Sequence, residues 1–458
     1  MKYPKFIYQK YFYKVSGKDL KIFFYFKIEH SSKAQSRKEN EVLFDHDISF
    51  RPEITIKNIP GRSLGQLDNL VFHLGLIEMI SYWKATCSPT IEVLAGCLDK
   101  NQIKWWQGLI MKGMGQFSFE NKIPFQKPKI ICLGRSLSQP RQSLGKLGQR
   151  ILVPVGGGKD SVVTLELLKK AKKNINCFSL NPTDSAKKIM DAAGCKNPVI
   201  IERKIDKRLL ELNKKGFLNG HTPFSAYLAF LSILLAVIFG YRYIALSNER
   251  SSNEGNVKYR GKTINHQWSK SFEFEQKFRG YSKKYLAKET NYFSFLRPLY
   301  EIQIAKLFSK YPKYFPLFLS CNEAYKTASG TKKPTKKWCS NCSKCLFAFA
   351  VLYPFLEEKE TAKIFKKNLF EDKNLLPIMQ QLIGERGFKP FECVGTKKES
   401  LMAFYLSWKK AGKVSPRPYL LDYFEKKILP KYKNLEKESK EILNSWNKQN
   451  NLPKGLNL

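Results

Sequence analysis

Three consecutive glycines, at 156, 157 and 158, stand between the apolar run Ile151-Leu152-Val153 and the run Val162-Val-Thr-Leu-Glu-Leu-Leu168. The segment reads as strand, tight turn and helix, with Pro154-Val-Gly-Gly-Gly-Lys-Asp-Ser161 as the junction. Glycine lets the backbone turn sharply and bares its N–H groups, and the helix that follows aims its positive end at the same point. Lys159 adds a full charge, and Ser161 adds a hydroxyl in the first helical turn. Such a junction is an anion cradle; a glycine-rich turn without a ligand is the alternative. It is not the common nucleotide P-loop, which needs glycine where Val153 stands and Ser or Thr where Asp160 stands.

The alternation continues beyond the junction. Strands are predicted at Ile151–Val155, Asn176–Leu180, Val199–Glu202 and Tyr243–Ser247, with helices at 160–173, Asp184–Ala193, 224–239 and Glu301–Lys310. Strands separated by helices imply right-handed crossovers and a parallel sheet covered on both faces, so an α/β, doubly wound parallel domain is expected over residues 150–350. Ligands of such sheets lie at the carboxyl ends of the strands. Three polar strand ends are therefore expected to share one site: Gly156–Ser161, Leu180-Asn181 and Ser247-Asn248-Glu249. Upstream, alternating runs at Lys21–Ile28 and Glu53–Lys57 and helical spacing at Asn69–Lys84 and Gln102–Met114 suggest an N-terminal α+β domain over residues 1–125. Pro, Gly, Ser and basic residues mark 126–149 as a linker, and 351–458 reads as a lysine-rich helical region with a loose tail.

A chain of 458 residues with 43% apolar content is long and apolar enough to bury a large core, which excludes a disordered protein. Its 80 Lys and Arg against 39 Asp and Glu give a net charge of +41, which suits a polyanionic partner. The lysines are spread in short pairs, without an arginine-rich tract, so nucleic acid is not the favoured partner; a lysine-biased proteome explains the charge as readily, and a polyanionic nucleotide substrate would also suit it. The opening Met1-Lys-Tyr-Pro-Lys-Phe6 lacks the apolar run of a signal peptide. Phe224–Phe239 is short for a bilayer span and is interrupted by Ser225, Tyr227 and Ser232. A cytoplasmic protein without a membrane partner is the expectation. The ten cysteines are too scattered for a disulfide framework.

One group of cysteines is ordered. Cys339-Ser-Asn-Cys342-Ser-Lys-Cys345 has C-x2-C-x2-C spacing, with Cys321 eighteen residues before it, a set that suits a structural, tetrahedral zinc site. An iron–sulfur cluster is the alternative for the same thiols. Among acids, Glu249 and Glu254 are candidates to hold Mg2+ or a polar substrate group, against a merely solvated loop. His266, in Asn265-His-Gln-Trp-Ser-Lys-Ser271, is the candidate for proton transfer; a structural histidine is the alternative. His221 either touches substrate or sits beside a helix cap made by Thr222 and Ser225. Glu78 lies on an apolar helix and is either exposed or buried with a function.

These residues carry two resemblances. Gly-Gly-Gly-Lys-Asp-Ser161 resembles the PP-loop of the ATP pyrophosphatase superfamily, with Gly156 in place of its first serine. The late cysteines are similar to the zinc site of deazaguanine nitrile synthases of that superfamily. The ordered set Glu78–Pro89, the PP-loop, Asn219–Ala226, Ser247–Asn256, Asn265–Ser271 and the cysteine knuckle resembles, over roughly residues 40–350, the MurL-type UDP-N-acetylmuramoyl-L-alanyl-L-glutamate epimerases. That resemblance implies a PP-loop (adenine nucleotide alpha hydrolase-like) fold and ATP-dependent epimerisation of the terminal L-Glu of a UDP-linked muramoyl dipeptide. AMP and pyrophosphate would be released, with Mg2+ as cofactor, in peptidoglycan precursor synthesis. Lys159, Asp160, Ser161, Glu249 and His266 are then the catalytic candidates. Gly156, Gly157, Gly158, Lys159, Ser161, Leu180, Asn181, Ser247 and Asn248 are the nucleotide-binding candidates. Cys321, Cys339, Cys342 and Cys345 are the candidate zinc ligands. Another adenylating PP-loop enzyme, or a basic zinc-stabilised nucleic-acid-binding protein, are the alternatives.

Overall fold

The alternation in Asp19–Glu29 is borne out side chain by side chain: Leu20, Ile22, Phe24, Phe26 and Ile28 are all buried, and the residues between them are not. A computed structural model describes residues 2–31, 46–61, 67–137, 148–326, 333–412 and 416–456. The class is α/β, with a helical C-terminal region. The chain forms two compact units, one of residues 1–152, 199–244 and 276–292, the other of 153–198, 245–275 and 293–458.

In the first unit, strand Lys5–Ser16 turns back antiparallel onto Asp19–Glu29, which also pairs antiparallel with Ile48–Phe50 and Glu53–Ile56. On its other edge Lys5–Ser16 pairs parallel with Thr90–Val93, which pairs parallel with Lys129–Cys132. The last strand lies inside the expected linker; of the remainder, residues 138–147 are outside those described. Val199–Lys204, expected as a strand of a parallel sheet, pairs along one of its edges antiparallel with Glu53–Ile56. The strands of this unit thus pair in both senses. Gly148–Pro154 and Tyr241–Leu246 do pair parallel, with Tyr243 opposite Ile151.

Helix Asp68–Trp83 is apolar all round and buried, packed on the first two strands and on helix Phe224–Phe239. The latter helix has 16 residues, and no helix among the described residues is long and apolar enough to cross a membrane. Pro223 is its N-cap and no side chain caps it, so Thr222 and Ser225 do not serve that role. Glu78 is fully buried and holds Arg203 through two bonds, Nε to Oε2 at 2.8 Å and Nη2 to Oε1 at 2.9 Å. The charge on that apolar helix is thus neutralised within the unit.

The second unit carries the glycine turn. The Val155 N–H donates to Phe178 O of strand Ile175–Leu180 at 2.9 Å, and Phe295 N–H donates to Leu246 O at 2.7 Å. Helix Lys159–Lys170 packs on helix Glu301–Phe308, which in turn meets helices Ser343–Leu352, Lys397–Ala411 and Leu435–Asn444. Residues beyond 350 therefore share a core with the glycine turn, whereas the sequence suggests a separate region. The tail is not loose as expected: Asn447 N–H donates to Pro298 O at 3.0 Å, and Asn451 Nδ2 to Glu275 Oε1 at 2.7 Å. One disulfide joins Cys177 to Cys195.

Candidate active site

The glycine turn is shaped by two different demands. Gly157 has φ +94°, and a Cβ there would lie 2.9 Å from Ser185 Oγ, so the backbone itself requires glycine. At Gly156 a Cβ would meet nothing within 4 Å, and at Gly158 only Ser320 Cβ at 3.6 Å. Those two glycines therefore keep open space above the turn, as a cradle approached by a ligand would. The Gly157 carbonyl accepts from Leu319 N–H at 2.9 Å and from Ser185 Oγ at 2.9 Å, which fixes the turn from behind. Gly158 caps helix Lys159–Lys170, and Ser161 Oγ donates back to its carbonyl at 2.9 Å.

The three polar strand ends come together around this turn. Ser179 Oγ donates to Val155 O at 2.8 Å, so the chain leaves its strand at Leu180-Asn181 beside the turn; Asn181 has φ +46°. Thr164 Oγ1 donates to Ser247 Oγ at 2.9 Å, and Asn248 Nδ2 to Ser294 Oγ at 3.2 Å. Ser247 and Asn248 thus tie the strand end to its neighbours. Glu249 is then held by buried Arg297, whose Nη1 donates to Glu249 O at 2.6 Å and whose Nη2 reaches Glu275 Oε2 at 3.1 Å.

The result is a buried acidic centre. One carboxylate oxygen from each of Asp160, Glu249 and Glu301 lies within 4.8 Å of the others. Lys159, 4% exposed, is bonded through Nζ to both Asp160 and Glu301, and Lys344 Nζ stands 3.9 Å from Glu301 Oε1. Burial alone would strip Lys159 of its proton, but the Asp160 and Glu301 charges hold it firmly ammonium. Burial would also protonate Asp160, yet the Lys159, Lys344 and Lys270 charges keep it below the usual carboxylate range. For Glu249, burial and then the Glu301 charge prevail, and its carboxyl is pushed up to about 7. Three carboxylate oxygens at this spacing are a hard donor set of the kind that Mg2+ takes.

Glu254 is not in this centre; it accepts from Lys397 N–H at 3.1 Å and pairs with Lys389 Nζ at 3.2 Å. His266 is half-buried, with Nε2 3.8 Å from Cys393 Sγ. Lys270 Nζ donates to the same sulfur at 3.2 Å. Sequence reasoning missed Glu301, Lys270, Lys344 and Cys393. Only Glu301 carried a signal, an acid in the first turn of a helix after a strand end.

The four cysteines converge elsewhere in this unit. Cys321 and Cys342 sulfurs are 3.9 Å apart, Cys339 and Cys345 3.6 Å, and Cys342 and Cys345 3.5 Å. Four thiolates about 2.3 Å from one tetrahedral ion lie about 3.8 Å from each other, so the set fits a single ion. A multi-iron cluster would spread them farther, each sulfur capping its own iron. In the same unit a cavity of about 640 Å³ is lined by Lys188, Lys337, Lys363, Lys366, Phe315 and Trp338, among others, and shares Ser185 and Leu319 with the wall of the glycine turn.

The arrangement defines an α/β protein with an open glycine turn, a cluster of three carboxylates beside it and a separate cluster of four thiols. The chain matches the family model described as MurL N-terminal domain over residues 14–295, and that described as MurL C-terminal domain over 317–427. It belongs to the MurL family. Residues 351–427, in the region least distinctive in the sequence, are thus part of the family's extent. Three curated relatives carry the name UDP-N-acetyl-alpha-D-muramoyl-L-alanyl-L-glutamate epimerase. The protein from Micromonospora sp. is 33% identical over 80% of this chain and 83% of its own length. That from Salinispora tropica is 34% identical over 74% and 73%, and that from Xanthomonas oryzae pv. oryzae 32% over 74% and 75%.

Proposed function

We propose that the protein epimerises the terminal L-Glu of UDP-N-acetylmuramoyl-L-Ala-L-Glu to D-Glu, after adenylating its α-carboxyl with ATP. The observation that carries this reading is the open glycine turn set against the Lys159–Asp160–Glu301–Glu249 centre, in a chain whose relatives bear that epimerase name. The chemistry follows from the substrate. A free carboxylate resists loss of its α-proton, because the enolate would gather still more negative charge. As an acyl adenylate the same carbon is next to a neutral carbonyl, and the proton becomes removable. The PP-loop reading assigns the turn's N–H groups, Lys159 and Ser161 to the pyrophosphate that leaves.

Asp160, Glu249 and Glu301 would hold Mg2+, which neutralises phosphate charge when bound. The adenosine part is assigned to the strand ends at Leu180-Asn181 and Ser247-Asn248. The lysine-lined cavity, with Phe315 and Trp338 in its walls, is of a size for the nucleoside diphosphate end of the other substrate. Zn2+ at Cys321, Cys339, Cys342 and Cys345 would be structural, since four thiolates leave no open position. Proton transfer falls to groups beside the acidic centre, for which His266 and Glu249 are the sequence candidates.

The test is to incubate the purified protein with ATP, Mg2+ and the L-Ala-L-Glu form of the UDP-linked dipeptide. Chiral analysis of the glutamate should show D-Glu, with AMP and pyrophosphate formed alongside. Absence of D-Glu would overturn the reading. D-Glu formed without ATP would overturn the adenylation step alone.

A further inference from the structure

Cys393 is the one thiol of the second unit that belongs neither to the disulfide nor to the four-thiol set. It sits on the bend Phe391-Glu-Cys-Val394 of the C-terminal region. Three contacts define its surroundings. Lys270 Nζ donates to Cys393 Sγ at 3.2 Å, His266 Nε2 lies 3.8 Å from that sulfur, and Lys344 Nζ, 3.9 Å from Glu301, donates to the Cys393 carbonyl. Lys270 also faces Glu249 and Asp160, so the thiol and the acidic centre share one ammonium. Next to it, Gln267 is 4% exposed; its Nε2 reaches Val394 O at 3.4 Å, while its Oε1 has no partner among the described residues. That is a buried acceptor left open on a side chain that reaches the residue after Cys393, of the kind a peptide N–H would fill.

Resting on the epimerase reading above, we propose that Cys393 is a catalytic base that moves the glutamate α-proton, with Lys270 donating to its sulfur and His266 relaying its proton. Position supports this first. The α-carbon is one bond from the carboxyl that is activated, so its base must lie beside the centre that activates it. Chemistry supports it next: an ammonium donor stabilises thiolate, and a thiolate–imidazole pair is a proton relay. In the step itself the α-C–H bond breaks and an S–H bond forms, while the electron pair moves into the acyl carbonyl as an enolate. A separate acid protonates the opposite face of the carbon. The thiol then returns its proton through His266 to solvent, and the opposite acid regains one from solvent. No electron is gained or lost overall.

The test compares Cys393→Ala and Cys393→Ser with wild type in three assays on the same substrate: dipeptide-dependent ATP–pyrophosphate exchange, D-Glu formation, and deuterium uptake at the α-carbon in D2O. Both variants should lose D-Glu formation and deuterium uptake by at least about 10²-fold, while pyrophosphate exchange changes by less than about tenfold. The conservative serine keeps the size of the site, so it carries the test if the alanine variant does not fold. A variant that epimerises near the wild-type rate would overturn the role of Cys393. So would a folded variant that loses exchange as severely as epimerisation, because the sulfur would then serve activation. Wild-type protein that makes no D-Glu would instead overturn the reading on which this assignment rests, and the assignment with it.

Discussion

The ammonium of Lys159 is bonded to the carboxylate of Glu301, which lies 142 residues farther along the chain. Both groups are buried, and Asp160 completes the contact. Removing one member of such a set leaves an uncompensated charge and costs about 3–5 kcal/mol. Lys159→Met and Glu301→Gln should each lower stability by an amount in that range, and the double variant should lose clearly less than the sum. Urea unfolding of the four proteins measures this. AMP release by Lys159→Met should fall at least about 10²-fold, as for loss of a group that meets developing charge. Wild-type turnover in that variant would remove the turn from the chemistry.

The glycines separate fold from function. Gly157→Ala places a Cβ 2.9 Å from Ser185 Oγ at φ +94°, so it should destabilise by at least about 1 kcal/mol. Gly156→Ala meets nothing within 4 Å, and its melting temperature should stay close to wild type. If phosphate approaches the bare turn, Gly156→Ala should nevertheless raise the KM for ATP. An unchanged KM would show that the space above Gly156 is not where ATP lies.

Elements set by local pattern were legible in the sequence. Strand Ile175–Leu180, helix Asp184–Ala192 and helix Phe224–Phe239 fall within a residue of their expected limits, because apolar spacing and flanking turn residues define them. Pairing was less legible. Val199–Lys204 reads as one more parallel strand, and its antiparallel pairing with Glu53–Ile56 depends on a strand far earlier in the chain. The site followed the same division. Gly156–Ser161 announces itself by composition, whereas Glu301 and Cys393 are single residues whose meaning comes from neighbours more than 100 positions away. Glu78 was ambiguous for the same reason, since its partner Arg203 is 125 residues distant.

The sulfur spacing of 3.5–3.9 Å leads to a metal prediction. Purified protein should contain one zinc per chain by elemental analysis, and Cys342→Ser should reduce it to well below one. Strong chelators should lower the melting temperature, as expected when an ion is bound by the folded state alone. Because the set has no open position, a preparation that keeps its fold after removal of zinc should also keep its activity. Several irons with acid-labile sulfide would instead identify a cluster.

His73 provides a pH test in the first unit. It is 1% exposed; its Nδ1 is 2.7 Å from Asn69 O and its Nε2 2.9 Å from the Tyr281 hydroxyl. Trp106 Nε1 donates to that hydroxyl at 3.0 Å, which leaves the hydroxyl's own proton for Nε2. The ring is therefore neutral, with its proton on Nδ1, and a second proton would meet a donor. Burial drives its pKa down to about 4, against about 6.5 in the unfolded chain. The unfolded state thus binds the proton first as pH falls, so this stabilisation is complete above about pH 6.5 and drains away down to about pH 4. The fall from about 6.5 to about 4 corresponds to about 3 kcal/mol, most of it lost by pH 4.5. Urea unfolding of wild type and His73→Asn at pH 7.5 and pH 4.5 should show the wild-type advantage shrinking by about 2–3 kcal/mol. An advantage that is equal at both pH values would mean that His73 is already protonated, or still unprotonated, in both states, contrary to its hydrogen bonds.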